Sequence, residues 1–128
     1  MKKILIIEDD SFVSRMYERA FKIGGYEVEV EANGEAGLAR LRSDAPKPSV
    51  IVMDVMMPGM NGVELLTEIK KDPSTSSIPL AVLTNSFTKE TADHFITLGA
   101  DLYLVKIAHS SKDIVQRMDD LIAKAATK

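Results

Sequence analysis

Polar side chains of complementary charge follow four of the apolar runs in this sequence. An acidic segment, residues 8–10, follows the first run, and Asp54 follows the third. Thr84 follows the fourth run, and Lys106 follows the fifth. Carboxylates, a hydroxyl group and an ammonium group are the inventory that phosphoryl transfer requires, because that reaction depends on positioning and on stabilising negative charge. A carboxylate can itself accept the phosphoryl group and form an aspartyl phosphate.

The carboxylates would repel one another if the fold brought them together. At about 4 Å and an effective dielectric constant of 20, each pair of charges repels by roughly 4 kcal/mol. Either one carboxyl group is protonated with a raised pKa, or a hard cation lies among them. An all-oxygen site with few protein ligands and room for water suits Mg²⁺. Lys106 would add a second positive charge, and Thr84 a hydroxyl donor.

Five apolar runs of strand length recur along the chain, and each is followed by a segment with helical periodicity. Strands that alternate with helices predict an α/β fold, with one parallel sheet covered by helices on both faces. Ligands of such open sheets bind beyond the carboxyl ends of the strands, where the polar residues described above would lie. The predicted strands are Ile4–Ile7, Val28–Val30, Val50–Met53, Leu80–Leu83 and Leu102–Val105.

Local signals place the sheet margin and several helix ends. Segment 27–31 alternates strictly between glutamate and valine, which predicts an edge strand. We expect the first helix to begin at Asp10 or Ser11 and to end at the pair Gly24-Gly25. The residues expected on its packed face are Phe12, Met16, Ala20 and Phe21. Predicted caps and stops of later helices are Asn33, Gly99 and Ser110.

Length and composition exclude several classes of protein. The 128 residues are enough for one domain, and a second folded domain would not fit. A net charge of −3 gives no positive field for phosphate backbones, so direct nucleic-acid binding is not expected. There are no cysteines, which excludes disulfides and thiolate sites. No apolar run is long enough to span a membrane, and the acidic segment 8–10 interrupts any signal-peptide core, so a cytoplasmic location is expected.

Several segments together resemble the receiver domain of bacterial response regulators, the CheY-like proteins of two-component signalling. ILIIEDD at residues 4–10 resembles the first strand and acidic pair of that family, and MDVMMPGMNG at residues 53–62 resembles its phosphoacceptor loop. The match continues through Ile78-Pro79, Thr84 and GADLYLVK at residues 99–106. The likeness spans essentially the whole chain, and the joint order is specific where any single element would be weak.

The resemblance implies a flavodoxin-like sheet of five strands in the order 2-1-3-4-5, forming a single receiver domain over residues 1–128 without an output domain. It implies that Glu8, Asp9 and Asp54 hold Mg²⁺ together with the main-chain carbonyl of Met56. Asp54 would accept a phosphoryl group from a phosphohistidine of a sensor histidine kinase or a histidine phosphotransfer protein in a phosphorelay. Such a domain promotes its own phosphorylation and dephosphorylation and is not a classical turnover enzyme.

The resemblance also implies how phosphorylation would act as a switch. Thr84 and Lys106 would bind the phosphoryl oxygens, and Tyr103 would turn inward as Thr84 is drawn toward them. This change would remodel the surface of the fourth helix, fifth strand and fifth helix, where a downstream effector protein would dock.

Two positions depart from the family pattern. Proline usually follows the active-site lysine with a cis peptide bond, but Ile107 follows Lys106 here. Because a cis bond without proline costs about 3 kcal/mol, we predict a trans bond. Asn85 stands where a small residue is common, and its bulk or its amide would alter access to the phosphoryl group. A receiver-like protein-interaction module that is never phosphorylated is therefore the main alternative.

Other interpretations are weaker. Taken singly, the acidic segment 8–10 could be a solvated loop with a helix cap, Thr84 an ordinary strand residue, Lys106 an edge lysine and Tyr103 a packing residue. A flavodoxin would need small hydroxyl residues where segment 8–10 stands. A dehalogenase-type phosphatase would need a carboxylate at Met56. His94 and His109 are assigned to the surface.

Overall fold

The computed structural model describes residues 2–127, which form five strands and five α-helices in strict alternation. A short 3₁₀ helix, Lys106–Ala108, precedes the last α-helix. The elements are β1 (Lys3–Ile7), α1 (Ser11–Ile23), β2 (Glu27–Glu31), α2 (Gly34–Arg42), β3 (Val50–Met53), α3 (Gly62–Lys71), β4 (Leu80–Thr84), α4 (Lys89–Leu98), β5 (Leu102–Val105) and α5 (Ser111–Ala126).

The five strands form one parallel sheet in the order β2-β1-β3-β4-β5. This is the predicted doubly wound, flavodoxin-like α/β fold. The prediction of an edge strand is also confirmed, because β2 pairs only with β1. Its charged side chains face a solvated margin, where Glu29 accepts two hydrogen bonds of 2.6 Å from Arg40. The fully buried residues of β3 and β4 fit their central places in the sheet.

Helices cover both faces of the sheet and create two hydrophobic cores. Residues of α2, α3 and α4 pack on one face, and residues of α1 and α5 pack on the other. Full burial of one such side chain stabilises the fold by about 1.5–3 kcal/mol. Together the two cores stabilise the sheet and so fix the positions of the strand ends. None of the helices in residues 2–127 is long and apolar enough to cross a membrane.

Side-chain caps fix where the helices begin, and they confirm the predicted boundaries. The carboxylate of Asp10 accepts hydrogen bonds from two N–H groups in the first turn of α1, at 2.9 and 3.2 Å. Asn33 and Ser110 cap α2 and α5. Gly99 ends α4 in the left-handed conformation, with φ of 117°, which glycine adopts without steric cost. The caps contribute about 1 kcal/mol each.

The predicted packed face of α1 was wrong in part. Phe12 is 79% exposed and Met16 is 44% exposed, although Phe21 is fully buried. The helix turns a different apolar row toward the sheet, because residues at intervals of three and four share one face. The buried residues of α1 are Ser14, Tyr17 and Phe21.

Candidate functional site

The predicted site residues converge at the carboxyl ends of the strands. Ile7 pairs with Met53 across the adjacent strands β1 and β3, so Glu8 and Asp54 leave the sheet side by side. Thr84 is the last residue of β4 and pairs with Val105 of β5. Lys106 follows one residue later. The register of the sheet therefore places all of these side chains at one edge.

Three carboxylates form a compact acidic cluster at this edge. Oxygen atoms of Glu8, Asp9 and Asp54 lie within 4.8 Å of one another. Glu8 and Asp54 are only 5% and 7% exposed, whereas Asp9 is exposed to solvent. An arrangement of oxygen ligands with one open side is suited to a hard divalent cation that keeps part of its water shell. The structure thus brings together the three carboxylates that the sequence indicated.

Lys106 neutralises part of this cluster. Its ammonium group donates hydrogen bonds to Asp54 Oδ2 at 2.8 Å and to Glu8 Oε1. The side chains of all three residues are at most 11% exposed. Such charge-assisted bonds away from bulk water are stronger than surface ion pairs, because they are little screened. The ammonium group of Lys106 thus bridges two carboxylates of the predicted metal site.

Burial and pairing move the pKa values of these groups in different directions. Burial raises the pKa of Glu8 above its ordinary value, although the hydrogen bond from Lys106 opposes this. Burial also raises the pKa of Asp54, but hydrogen bonds from Lys106 and from the main chain of Met56 outweigh it, so the net pKa is lowered. The pKa of Lys106 is raised because its bonds to both carboxylates outweigh its burial. Of the two buried carboxyl groups, Asp54 therefore ionises more readily than Glu8.

The loop after β3 holds Asp54 from the other side. The main-chain N–H of Met56 donates to Asp54 Oδ1 at 3.1 Å. Farther along, Gly59 has a φ of 79°, and the N–H of Met60 donates to Glu35 of α2 at 3.2 Å. The role of the Met56 carbonyl as a metal ligand remains a prediction. No sequence signal indicated Glu35, because its contact depends on how α2 packs beside the loop.

Thr84 and Tyr103 lie close to the cluster but have different partners. Thr84 is 1% exposed, its hydroxyl oxygen accepts a bond of 3.2 Å from the N–H of Ser86, and its hydroxyl helps to lower the pKa of Asp54. The Tyr103 hydroxyl donates to the carbonyl of Ser86, and its ring packs 5.9 Å from the ring of Phe95, between centroids. Both side chains therefore contact the segment between β4 and α4.

Comparison with known proteins decides the family. The sequence model of the response regulator receiver domain matches residues 4–119. The chain belongs to this family. The predicted identity as a receiver domain of two-component signalling is confirmed, and the cluster of Glu8, Asp9 and Asp54 is the acidic site of a receiver domain that could bind a metal.

Relatives of this receiver domain include regulators that are longer than the chain. It is 34% identical over 126 residues to the "Probable transcriptional regulator ycf27" of Porphyra purpurea, covering 97% of the chain and 49% of the relative. It is 30% identical over 123 residues to the phosphate regulon regulatory protein PhoB of Pseudomonas aeruginosa, covering 96% and 52%. The chain therefore spans about half the length of the curated relatives it matches.

Solved structures of receiver domains superimpose closely on this one. The chemotaxis protein CheY4 of Vibrio cholerae gives a TM-score of 0.86 at 27% identity, with 94% of this chain and 98% of that chain covered. The phosphorylated cyanobacterial phytochrome response regulator RcpA gives a TM-score of 0.84 at 30% identity, with 93% and 91% covered. The second structure is of a receiver in its phosphorylated form.

The two residues that depart from the receiver pattern, Asn85 and Ile107, contact each other. The peptide bond between Lys106 and Ile107 is trans, as predicted. The N–H of Ile107 donates to Asn85 Oδ1 at 3.1 Å. This bond was not predicted. The sequence carried a signal for it, because Ile107 has an N–H group that a proline lacks. The histidines lie outside the site: His94 is exposed, and His109 pairs with Asp113.

Proposed function

We propose that Asp54 is the phosphoacceptor of this receiver domain and that Mg²⁺ binds at Glu8, Asp9 and Asp54. The observation that supports this most strongly is a buried carboxylate at a strand end, with two further carboxylates and a lysine ammonium group within reach. An isolated buried acidic cluster would be costly, whereas the same groups are useful for binding a cation and a phosphoryl group.

The donor set fits Mg²⁺ because every atom it offers is an oxygen. Three carboxylates supply the negative charge, and the main-chain carbonyl of Met56 is proposed as a further ligand. The exposed side of the cluster at Asp9 leaves room for water and for a phosphoryl oxygen. When bound, the ion supplies charge neutralisation that allows an anionic donor to approach.

Each of the side chains would have a separate role in phosphoryl transfer. An oxygen of Asp54 forms a bond to phosphorus as the bond between phosphorus and the imidazole nitrogen of a donor phosphohistidine breaks, and the imidazole leaves with that electron pair. The pKa of Asp54 is lowered by its hydrogen bonds despite burial, so the buried side chain stays a carboxylate that can act as the nucleophile. The ammonium group of Lys106 and the hydroxyl group of Thr84 then bind oxygens of the transferred group.

The same contacts suggest how the signal would reach a partner. Movement of Thr84 toward the phosphoryl group would pull the segment that Tyr103 holds through the carbonyl of Ser86. The nearby exposed apolar side chains are Phe87, Ile96 and Ile107, at 58%, 46% and 84% exposure. We propose that a sensor histidine kinase or phosphotransfer protein supplies the phosphoryl group and that a downstream effector protein reads the surface of α4, β5 and α5. The net charge of −3 supplies no overall positive field for phosphate backbones, so we propose no direct nucleic-acid partner.

Incubation with acetyl phosphate and Mg²⁺ tests this proposal. Intact-mass spectrometry is expected to show one added phosphoryl group, which Asp54→Asn and chelation of the metal each abolish. Asp10→Asn is the matched control, because Asp10 caps α1 and is not among the proposed ligands. Absence of any adduct in the unaltered protein, with the fold intact, would favour an interaction module that is not phosphorylated.

A further inference from the structure

A hydrogen bond outside the sheet joins the segment after β4 to the segment after β5. The main-chain N–H of Ile107 donates to Asn85 Oδ1 at 3.1 Å. Asn85 directly follows Thr84, and Ile107 directly follows Lys106. The bond therefore connects the neighbours of the two side chains proposed to hold the phosphoryl oxygens.

The contact prolongs the pairing of β4 with β5 beyond the last paired residues, Thr84 and Val105. At that point the main chain turns into the 3₁₀ helix. The side chain of Ile107 is 84% exposed, so its packing contributes little to holding the turn. Within the turn, the N–H of His109 reaches the carbonyl of Lys106 only at 3.4 Å, which is long for a hydrogen bond. Of these contacts, the one from Asn85 is the better formed.

The two departures from the family pattern are chemically complementary. A proline after Lys106 would have a fixed φ and no N–H group. Ile107 has no ring to fix its φ, and it has an N–H group that needs an acceptor. Asn85 offers an amide oxygen that satisfies the N–H and restrains the main chain at that residue. Alanine at the position of Asn85 would have no acceptor to offer.

We propose that Asn85 is a positioning residue that keeps Lys106 aligned with Asp54 and Glu8, in place of the restraint that proline gives. Lys106 contacts both carboxylates at the end of a long side chain, and the position of its main chain sets which conformations of that side chain bring the ammonium group to them. The effect on phosphorylation rests on the proposed function, whereas the effect on Lys106 exists in the unphosphorylated domain.

Hydrogen exchange measured by NMR tests the proposal without phosphate. A partly exposed hydrogen bond contributes about 0.5–1.5 kcal/mol, so Asn85→Ala is expected to speed exchange of the Ile107 amide by about 2- to 10-fold. The ammonium signal of Lys106 should also exchange faster. Asn85→Asp keeps an acceptor oxygen and should preserve the Ile107 amide protection. The matched control is Ser86→Ala, which keeps both main-chain contacts of Ser86.

Unchanged exchange of the Ile107 amide in Asn85→Ala would overturn the proposal. A faster Ile107 amide with an unaltered Lys106 signal would also overturn it, because the bond would then exist without positioning the lysine.

A double-mutant cycle tests the consequence for phosphorylation. Asn85→Ala is expected to slow phosphorylation by acetyl phosphate by about 2- to 10-fold. In the Ile107→Pro background, where the N–H is missing, the same change should have no effect. Faster phosphorylation in both backgrounds would show that Asn85 acts by blocking access and would overturn the proposal. No phosphorylation of the unaltered domain would refute the proposed function alone, and the exchange comparison would still decide the role of Asn85.

Discussion

Replacing Lys106 by methionine should destabilise the metal-free domain strongly. Methionine keeps most of the length of the side chain and removes its ammonium group, with the charge and the hydrogen-bond donors. The ammonium group lies 2.8 Å from Asp54 Oδ2 and also contacts Glu8, and all three side chains are nearly inaccessible to solvent. The substitution therefore leaves two carboxylates buried with no cation beside them.

The size of the effect follows from these distances. At an effective dielectric constant of 20, an ion pair at 2.8 Å is worth about 6 kcal/mol of Coulomb energy. Two unpaired carboxylates separated by 4.8 Å, the limit within the cluster, repel by about 3.5 kcal/mol. Desolvation of the ammonium group offsets part of its attraction, so the net loss on breaking such a pair is about 3–5 kcal/mol.

Urea unfolding in the presence of a chelator, and again with Mg²⁺, measures the loss. We expect K106M to lower the free energy of unfolding by about 3–5 kcal/mol without metal. Mg²⁺ at a hundredfold excess over its dissociation constant should restore about 2.7 kcal/mol, because the ion then replaces the missing charge. The matched control is K71M, whose partner Glu68 is partly exposed at the surface and whose loss of stability should be much smaller than that of K106M.

The pH dependence has a defined sign. Without Lys106, the pKa values of Glu8 and Asp54 both rise, because the bonds that lowered them are gone. A carboxyl group whose folded pKa lies above its unfolded value stabilises the fold at low pH and loses that contribution as the pH rises. The deficit of K106M should therefore be larger at neutral pH than in mildly acidic buffer. A metal-free K106M within 1 kcal/mol of the unaltered protein would refute the reasoning.

Four further substitutions test other parts of the structure. Asp9→Ala should weaken Mg²⁺ binding by about tenfold or more in a calorimetric titration, whereas Asp10→Ala should mainly destabilise α1; equal losses of affinity would contradict the assigned ligands. Tyr26→Phe removes a 2.6 Å bond to Asp119 and should lower the free energy of unfolding by about 1–2 kcal/mol. Burial raises the pKa of Asp119, but its hydrogen bonds outweigh this and lower it, so the Tyr26→Phe deficit should shrink as the pH falls. Gly62→Ala places a methyl group 2.9 Å from a main-chain atom of the loop after β3 and should cost about 1–3 kcal/mol in urea unfolding.

Local chemistry made most of the fold predictable. The caps at Asp10, Asn33 and Ser110 and the stop at Gly99 each follow from contacts within one turn of chain. The strand order was available only through the family resemblance, because periodicity says nothing about which strands are neighbours. The prediction of the buried face of α1 was partly wrong because two apolar rows overlap in its sequence. Packing against distant strands selects the row that contains Tyr17.

The sequence predicted the location of the candidate site better than it predicted the hydrogen bonds within the site. That Glu8 and Asp54 meet follows from their positions after strands of one parallel sheet. The bridge from Lys106 to both carboxylates depends on side-chain conformation and burial, which no spacing encodes. The opposite directions of the pKa shifts at Glu8 and Asp54 have the same origin, because both carboxyl groups are buried but only Asp54 receives enough hydrogen bonds to offset it.

Charge balance explains why such a site is suited to a reversible switch. Three carboxylates and one ammonium group leave two net negative charges at the strand ends, which is the charge that one divalent cation cancels. Phosphorylation of Asp54 would replace one carboxylate charge by a group of about two negative charges, so the balance would shift by only about one unit. The ammonium group of Lys106 is already at Asp54 Oδ2 and needs little movement to meet the new oxygens. Small rearrangements of Lys106 and Thr84 would then suffice to change the neighbouring surface, because the charges are in place beforehand.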